Sequence, residues 1–428
     1  MNLATCKQHK SIDSAVSEQK DKTNLTCQLC LSSDSLAEVL DLGHQPICNA
    51  VLSKETLNAP EINYPLKLYV CKKCYLVQLI DVVSARTVFC IDYNYLSSTT
   101  PALVRYFQAL AGKIVDTFAV KQNEIVCDIG SNDGTFLRFF KDKKVNVIGV
   151  EPTPVPAQIA TNNGVLTIQE FFKEEIGDRL VSNYGKMRVV TAMNVLAHNN
   201  DVHSFLEGVK KLMGPDSVFV SQSHYLPALV ERLEYDTIYH EHLRYYTLAT
   251  LKKLFDMHGF HVFHAEINDI YGGSILTYCS ISDMAPGKNV AEILNSETKY
   301  EKLETYIEFA KLVRKNARVL VRMLSDLKDE GKCIVGVGAP MKASTLLNYC
   351  HIGPDILDYL SEVNPLKIGK YTPGVHIPIV DETSLMDSQP DYALILSWNV
   401  SKDIMMKLRQ KGYTGKFIIP IPKPSIID

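Results

Sequence analysis

The spacing of apolar and polar residues separates the chain into helical and extended stretches. After Pro101, apolar side chains recur every three or four positions up to residue 120, which predicts a helix with proline in its first turn. Short apolar runs predict strands at residues 124–129, 145–151, 187–192 and 217–221. Because helical and extended stretches alternate, the sequence predicts a parallel, doubly wound α/β sheet.

A second strand–glycine–helix pattern begins near residue 332 and is followed by strand candidates at 392–396 and 416–420. The charged, helical stretch at 290–330 resembles a long connector. Together these patterns predict an α/β protein with four consecutive parts. They are a polar, disordered lead-in (1–24), a small zinc-binding N-terminal module (25–85), a central Rossmann-like doubly wound domain (86–289) and a smaller Rossmann-like α/β domain (290–428).

Composition narrows the class of protein. Lysine and arginine number 45, aspartate and glutamate 48, so the net charge is −3. A nearly neutral chain argues against general nucleic-acid binding, which needs a basic face. No apolar run approaches the length of a membrane span, and the first residues carry no secretory signal. We therefore expect a cytoplasmic protein that acts on a small molecule, with its oligomeric state left open.

Four of the eleven cysteines form two CxxC pairs, Cys27 with Cys30 and Cys71 with Cys74. Each pair can supply two thiolates from one turn, and two pairs complete the tetrahedral shell that zinc prefers. Four sulfur ligands leave no position for water, so the predicted zinc is structural. A redox dithiol is less consistent with the sequence, because no thioredoxin-like pattern surrounds either pair.

A glycine-rich turn follows the first predicted strand of the central region. It runs from Asp128 to Gly134 and lacks both the GxGxxG pattern and a phosphate-binding lysine, which weakens NAD and ATP as ligands. Glu151 ends the next strand, where an acid can bind ribose hydroxyls. The negative charge of Asp128 favours a cationic ligand such as a sulfonium, so the pattern indicates S-adenosylmethionine (SAM).

A short segment, residues 236–246, contains two histidines, a glutamate and three tyrosines. His198 follows a predicted strand of the sheet, at the edge where ligands bind. A metal site at His240 and His242 is disfavoured, because alternation in an extended segment places Glu241 on the opposite face. Acid–base chemistry is the better interpretation, since histidine titrates near neutral pH. A buried polar network without chemistry is the alternative.

These motifs together resemble the SAM-dependent C-methyltransferases of nucleotide-deoxysugar biosynthesis, of the sugar C-3 methyltransferase type. The resemblance covers nearly the whole chain after residue 24. It rests on the two CxxC pairs, the glycine-rich turn, the segment from Asn194 to His198 and the Tyr239-His240-Glu241-His242 motif. Further matching stretches lie at residues 92–98, 336–342, 346–350, 364–365 and 371–379. Tyr271 stands where the family usually has histidine.

The resemblance implies residue roles around SAM and the sugar. The SAM site would comprise Asp128, Gly130, Ser131, Asn132, Gly134, Glu151 and Asn194. The residues around the reacting sugar would be Tyr93, His198, Tyr239, Glu241 and His242. We expect His242 to be the base, held by Tyr239 or Glu241, while Tyr93 and His198 hydrogen-bond the enolate oxygen. Zinc would be bound by Cys27, Cys30, Cys71 and Cys74.

The substrate implied by the resemblance is a nucleotide-linked 4-keto deoxysugar, carried on thymidine diphosphate and methylated at C-3. A cation at the start of a helix suits a diphosphate, which places Lys342 near the nucleotide. We also expect Thr345, Asn348 and Tyr371 to contact it.

Two alternatives remain open from the sequence. One is an O- or N-methyltransferase of another small molecule, which would share the SAM site and need no enolate. The other is a zinc- and SAM-binding scaffold without activity.

Overall fold

The computed structural model describes residues 25–89 and 95–428. The predictions for residues 1–24 and for Tyr93 fall outside these ranges. Within them, the chain forms three β-sheets with helices packed on them.

The strands are β1 (Leu36–Pro46), β2 (Asn63–Cys71), β3 (Val77–Leu79), β4 (Ile125–Ile129), β5 (Asn146–Val150), β6 (Leu166–Ile168), β7 (Met187–Met193), β8 (Met213–His224), β9 (Arg244–Tyr245), β10 (His261–Asn268), β11 (Ser274–Ser280), β12 (Ile334–Val337), β13 (Leu360–Glu362), β14 (Ile379–Asp381), β15 (Tyr392–Ile395), β16 (Lys416–Ile419) and β17 (Ser425–Ile427). The α-helices are α1 (Ala85–Phe89), α2 (Pro101–Thr117), α3 (Thr135–Asp142), α4 (Pro154–Asn162), α5 (Glu174–Tyr184), α6 (Val202–Leu212), α7 (Leu226–Glu231), α8 (Leu248–Met257), α9 (Lys288–Ser296), α10 (Leu303–Asp329), α11 (Met341–Tyr349), α12 (Thr383–Ser388) and α13 (Ser401–Gln410).

The N-terminal sheet has the order β1-β2-β3-β9, and each neighbouring pair is antiparallel. Its fourth strand, β9, comes from the segment that directly follows His242. The amide of Leu79 also donates to the carbonyl of Leu243 over 2.9 Å. The cysteine module is therefore joined by backbone hydrogen bonds to the histidine-rich segment of the central domain.

The central sheet has the order β10-β11-β8-β7-β4-β5-β6 among the described strands. Strands β4 to β8 pair in parallel, as the sequence predicts. The sheet as a whole is mixed, since β11 runs antiparallel to both of its neighbours. The reason is local: five residues connect β10 to β11, and a connection that short can join only antiparallel strands.

Helix α2 confirms the predicted helix, which ends three residues earlier than the predicted residue 120. Proline occupies its first position, and the chain leaves the helix at Phe118. Leu103, Phe107, Leu110 and Ile114 follow the spacing of one helix face, and all four are buried. This face packs beside α3, where Phe107 meets Phe136 at a ring-centroid distance of 4.8 Å.

The C-terminal sheet has the order β14-β13-β12-β15-β16-β17, with only the described edge strand β17 antiparallel. The stretch predicted as a connector forms α9 and the 27-residue helix α10. Helix α10 is more than a connector, because its apolar face is buried in a core shared by the N-terminal and C-terminal sheets. No helix in the described ranges is long and apolar enough to span a membrane.

Candidate functional site

The four cysteines predicted to bind zinc lie together. All four Sγ atoms lie within 4.8 Å of one another, and no other described group of three or more His, Cys, Asp or Glu side chains meets this condition. Cys27 and Cys74 are separated by 3.5 Å between sulfurs, and Cys30 and Cys71 by 3.6 Å. A tetrahedron of sulfurs about 2.3 Å from zinc has edges of roughly 3.8 Å. The cluster therefore has the size of a four-thiolate zinc site.

Neighbouring polar groups support the thiolate form of these cysteines. Gln78 Nε2 donates to Cys27 Sγ over 3.4 Å, and Ser35 Oγ lies 3.3 Å from Cys71 Sγ. The hydrogen bond with Cys74 lowers the pKa of the Cys27 thiol. Donors around metal-bound sulfur orient the ligand and stabilise its negative charge. These contacts fit a closed, structural zinc site held by Cys27, Cys30, Cys71 and Cys74.

The predicted SAM turn connects β4 to α3 at the carboxyl edge of the central sheet. Gly130 has a φ of +72°, and a Cβ there would lie 2.4 Å from Val195 Cγ2, so only glycine fits. Gly134 has a φ of +75° and directly precedes α3. Asn132 also has a positive φ, 51°. The turn is therefore sharply curved, and it lies at the sheet edge where ligands of such sheets bind.

Two buried carboxylates flank this turn. Glu151 accepts the amides of Asn132 (2.9 Å) and Thr153 (2.8 Å). Asp128 accepts the Thr191 hydroxyl over 2.6 Å. Burial, with a smaller contribution from the charge of Glu151, raises the pKa of Asp128 to about 7, although the hydrogen bond from Thr191 opposes the shift. Burial also raises the pKa of Glu151. Both carboxylates lack a charged partner in their hydrogen bonds, so a cationic ligand would stabilise them.

The remaining predicted SAM residues close the turn from two sides. Ser131 Oγ is buried and has no hydrogen-bond partner in the described chain. Asn194 follows β7 with a φ of +58°, and its amide donates to Gln222 on the adjacent strand β8. On the other side, Asn132 accepts the amide of Ser97 over 2.8 Å. An unsatisfied hydroxyl and two uncompensated acids beside the glycine turn fit a ligand that carries hydroxyl groups and positive charge, as SAM does.

Two histidines predicted to be catalytic, His198 and His242, lie close together. The rings of His198 and His242 lie 4.8 Å apart between centroids, and Tyr239 lies 4.2 Å from His242. His242 Nδ1 donates to the Thr237 carbonyl over 2.7 Å, which leaves Nε2 as a hydrogen-bond acceptor. Burial lowers the pKa of His198 to about 4 and holds that of His242 well below its ordinary value. Both imidazoles are therefore neutral at pH 7.

The other two members of the predicted motif contact different parts of the fold. His240 Nε2 donates to the carbonyl of Pro65 over 3.1 Å, so it fastens the N-terminal sheet to the central domain. Glu241 accepts the Cys48 thiol over 3.5 Å, and burial raises its pKa to about 7. The structure therefore gives Glu241 a hydrogen bond to Cys48 where the sequence predicted one to His242.

The structure adds a third histidine to the cluster. His224 ends β8, its ring centroid is 6.3 Å from that of His242, and its Nε2 lies 3.0 Å from Glu234 Oε2. The sequence prediction ended this strand at residue 221, which hid the position of His224. A strand that continues to residue 224 places His224 at the carboxyl edge beside the end of β7.

Lys342, predicted to bind the nucleotide, lies where the central and C-terminal domains meet. Its Nζ donates to Asn399 Oδ1 over 2.7 Å and lies 4.2 Å from the Trp398 ring centroid. It is also 3.9 Å from Asp236, whose carboxylate accepts the Trp398 indole over 2.6 Å. Burial lowers the pKa of Lys342, and Asp236 opposes that shift. Lys342 is thus a cation held near the start of α11.

The other three predicted nucleotide contacts already make contacts within the protein. Thr345 Oγ1 donates to the carbonyl of Ile238 over 2.8 Å. Asn348 Nδ2 donates to the carbonyls of Ser344 and Pro373. Tyr371 pairs its backbone with Leu52. Thr345 joins α11 to the segment before His242, so its hydroxyl fixes the relative position of two domains.

The sheet order, with antiparallel β11 between β8 and β10, and the acidic glycine turn after β4 define a SAM-dependent α/β methyltransferase. Family models match three consecutive ranges. They are described as "Putative zinc binding domain" (27–89), "Methyltransferase domain" (103–265) and "C-methyltransferase C-terminal domain" (269–422).

A relative named C-methyltransferase NovU, from Streptomyces niveus, is 33% identical over 412 residues, covering 94% of this chain and 96% of its own. The chain therefore belongs to this C-methyltransferase family. Membership of a C-methyltransferase family decides against the alternative of an O- or N-methyltransferase.

Solved methyltransferase structures overlap the chain only in part. Magnesium protoporphyrin IX methyltransferase from Synechocystis PCC 6803 with bound SAH covers 41% of this chain and 82% of its own, at 13% identity and a TM-score of 0.33. A SAM-dependent methyltransferase from Clostridium acetobutylicum ATCC 824 covers 42% of this chain and 92% of its own, at 9% identity and a TM-score of 0.33.

Proposed function

We propose that this C-methyltransferase acts on C-3 of a 4-keto deoxysugar linked to a nucleotide, with thymidine diphosphate as the carrier, in branched-chain deoxysugar biosynthesis. The observation that carries the proposal is the histidine cluster formed by His198, His224 and His242. Two of its members follow or end β7 and β8, whose carboxyl ends lie at the same sheet edge as that of β4, the strand before the acidic glycine turn. A carbon nucleophile must be generated by removal of a proton, and imidazole nitrogens are suited to that task.

The ketone allows a neighbouring carbon of the sugar to become a nucleophile. A hydrogen on the carbon next to a carbonyl is acidic, because loss of the proton places negative charge on the carbonyl oxygen as an enolate. The enolate carbon is then the nucleophile. When bound, SAM supplies an electrophilic methyl group. The protein must therefore hold a base near the carbon and hydrogen-bond donors near the oxygen.

His242 is the predicted base in this proposal. Its Nδ1 proton is engaged by the Thr237 carbonyl, so its Nε2 lone pair is available. Tyr239 packs against the ring at a 33° interplanar angle and restricts its orientation. His198, neutral and adjacent, is assigned to the enolate oxygen together with Tyr93. Glu241 acts by fixing the backbone of the segment through Cys48.

The acids of the glycine turn would hold SAM. Asp128 and Glu151 would stabilise its positive charge and hydrogen-bond its hydroxyls, and Ser131 and Asn194 border the same turn. Lys342 would interact with the diphosphate at the start of α11, since helix N-termini and cations both favour phosphate. Zinc held by the four cysteines would stabilise the N-terminal module and, through β9, the segment after His242.

Hydrogen–deuterium exchange into the substrate tests this proposal. A dTDP-4-keto-2,6-dideoxyhexose is incubated with the protein in deuterated water without SAM, and NMR follows exchange at C-3. Wild-type protein should catalyse exchange, and His242→Asn should reduce its rate by about 10²–10⁴-fold. His261→Asn, an exposed histidine on β10, serves as the matched control and should exchange at the wild-type rate. Absence of exchange by the wild-type protein would contradict the proposed substrate.

A further inference from the structure

The pair formed by His224 and Glu234 lies next to the predicted catalytic residues. His224 is half-buried at the end of β8, and its Nε2 lies 3.0 Å from Glu234 Oε2. The Glu234 side chain has no exposed surface. The other nitrogen of the ring, Nδ1, makes no hydrogen bond within the described ranges and belongs to a ring 6.3 Å from His242. The pair thus combines a buried carboxylate with an imidazole that borders the site.

The residues around Glu234 leave space for its carboxylate. Gly272 has a φ of +91°, and a Cβ at this position would lie 2.8 Å from Glu234 Oε1. Oε1 is buried without a hydrogen-bond partner among the described residues. Asp236 and Lys342 are the nearby charges that also act on Glu234, and they are 3.9 Å apart and offset each other. His224 is therefore the side chain that hydrogen-bonds and balances this carboxylate.

The other two histidines have no such support. His242 Nδ1 donates to a neutral carbonyl, and its ring faces two further imidazoles, those of His198 and His224. His198 Nδ1 is buried with no partner in the described chain. Both rings would lose stability on taking a proton, because burial disfavours their charged forms. A proton removed from a substrate would not remain on either ring.

A buried carboxylate behind an imidazole fixes the ring tautomer and stabilises the imidazolium that forms when the ring takes a proton. We infer that His224, oriented by Glu234, is a further acid–base residue of this site and holds the proton removed from the substrate carbon. This inference rests on the proposed function. His224 is the catalytic residue in this assignment, and Glu234 is a positioning residue that acts through it.

The step balances within the protein and substrate. The C–H bond next to the ketone breaks, and its electron pair becomes the C=C bond of the enolate. The negative charge moves to the carbonyl oxygen, and His242 Nε2 takes the proton and passes it to His224 Nδ1, so His242 returns to its neutral form. Nε2 keeps its own proton, so the ring becomes an imidazolium beside the Glu234 carboxylate, and no oxidant or reductant is needed.

A matched pair of glutamates tests the assignment. Glu234→Gln removes the charge behind His224 and preserves the shape of the side chain. Glu207→Gln makes the same change in another Glu–His pair, where Glu207 Oε1 on α6 lies 2.6 Å from Nδ1 of His258, the residue after α8. For both variants and for His224→Asn, we would measure C-3 deuterium exchange into the dTDP-4-keto-2,6-dideoxyhexose, SAM affinity by calorimetry, and thermal melting.

We expect Glu234→Gln and His224→Asn each to slow exchange by about 10²-fold or more, with unchanged KM and SAM affinity, and Glu207→Gln to leave exchange unchanged. The double variant should be no slower than His224→Asn alone, because Glu234 acts only through His224. A purely structural effect of Glu234→Gln would instead add to the loss caused by His224→Asn. The double variant therefore distinguishes a catalytic role from a structural one.

Wild-type exchange together with full exchange in Glu234→Gln would overturn the inference and leave the proposed function standing. Additive losses in the double variant would overturn it as well. A wild-type protein without exchange would overturn both.

Discussion

Two glycine turns, one in the central domain and one in the C-terminal domain, use the same backbone device. Each follows the first strand of a parallel unit, β4 or β12, and precedes a helix. In each, an acid at the end of the neighbouring strand accepts an amide from the turn. Glu151 accepts the amide of Asn132 over 2.9 Å, and Glu362 accepts that of Ala339 over 2.7 Å.

The side chains around the two turns differ in charge. The central turn is flanked by Asp128 and Asp133, whose hydrogen bonds come from hydroxyls and amides. The C-terminal turn has two half-buried lysines: Lys367 donates to the Ala339 carbonyl over 2.7 Å, and Lys342 lies at the start of α11. The two turns therefore share one backbone arrangement and differ in the charge of the side chains around it.

Loss of the cysteine cluster should have the largest effect, since the N-terminal sheet holds the histidine-rich segment through β9. Binding of zinc to such sites contributes roughly 10–16 kcal/mol. We expect Cys71→Ser to lose zinc, lower the melting temperature and increase amide exchange at residues 239–245, as measured by mass spectrometry. Cys333→Ser, a cysteine far from the cluster in sequence and fold, is the control. Unchanged zinc content in Cys71→Ser would refute the site.

Glu151→Gln should weaken SAM binding by about 10–100-fold, because a buried charged acceptor of hydrogen bonds contributes about 1.5–3 kcal/mol. Glu362→Gln is the corresponding change in the C-terminal turn and should leave SAM affinity within about twofold. Isothermal titration calorimetry measures both. Equal losses of SAM affinity in the two variants would mean that the two turns do not bind different ligands.

Lys342→Met should weaken thymidine diphosphate binding by about ten- to thirtyfold, since a charge-assisted hydrogen bond to phosphate contributes about 1.5–2 kcal/mol. SAM affinity should be unchanged. Lys328→Met, at a half-buried lysine whose Nζ lies 3.2 Å from Asp358 Oδ1, is the control in the same domain. Asp236 loses its neighbouring lysine in this variant, and thermal melting checks that the variant is still folded. If Lys342→Met bound thymidine diphosphate with wild-type affinity, the assignment of an anionic ligand to this turn would be wrong.

The smallest expected effect is on pH dependence. The pKa of Asp128 is raised from 3.8 to about 7 by burial, so its charge is lost as the pH falls below 7. SAM affinity should therefore weaken by about tenfold between pH 8 and pH 6. Because the folded protein without SAM binds this proton more tightly than the unfolded chain, its stability should fall as the pH rises from about 4 to 7.

Asp128→Asn should flatten the pH dependence of SAM affinity and stabilise the protein without SAM at pH 8. Calorimetry and thermal melting across this pH range measure the two effects. If the SAM affinity of Asp128→Asn depended on pH as steeply as that of the wild-type protein, a group other than Asp128 would be the one that titrates.

Local patterns in the sequence predicted the helix α2, the parallel strands of the central sheet and the cysteine cluster, because period, turn chemistry and ligand spacing are local properties. The antiparallel direction of β11 was not predicted, since it follows from the short connection after β10. The burial of α10 also escaped prediction, because its apolar face packs on residues more than 200 positions away in sequence, such as Leu40 and Leu68.

The site was predicted less completely. The motifs predicted Asp128 and His242, which lie beside the glycine turn and in the histidine cluster, and their roles stay predictions. Glu234 gave no local signal, because its role depends on His224 at the end of a strand and on Gly272, which comes from a distant turn. Thr345 and Asn348 were predicted as ligand contacts, and their hydrogen bonds are made to the protein itself.

The most direct test of the central claim is the mass and NMR spectrum of the product formed from SAM and a dTDP-4-keto-2,6-dideoxyhexose. We predict a sugar nucleotide heavier by one methyl group, with the new methyl on C-3 and the C-3 hydrogen absent. A methyl group found on oxygen, or a substrate recovered without any methyl group, would contradict the account.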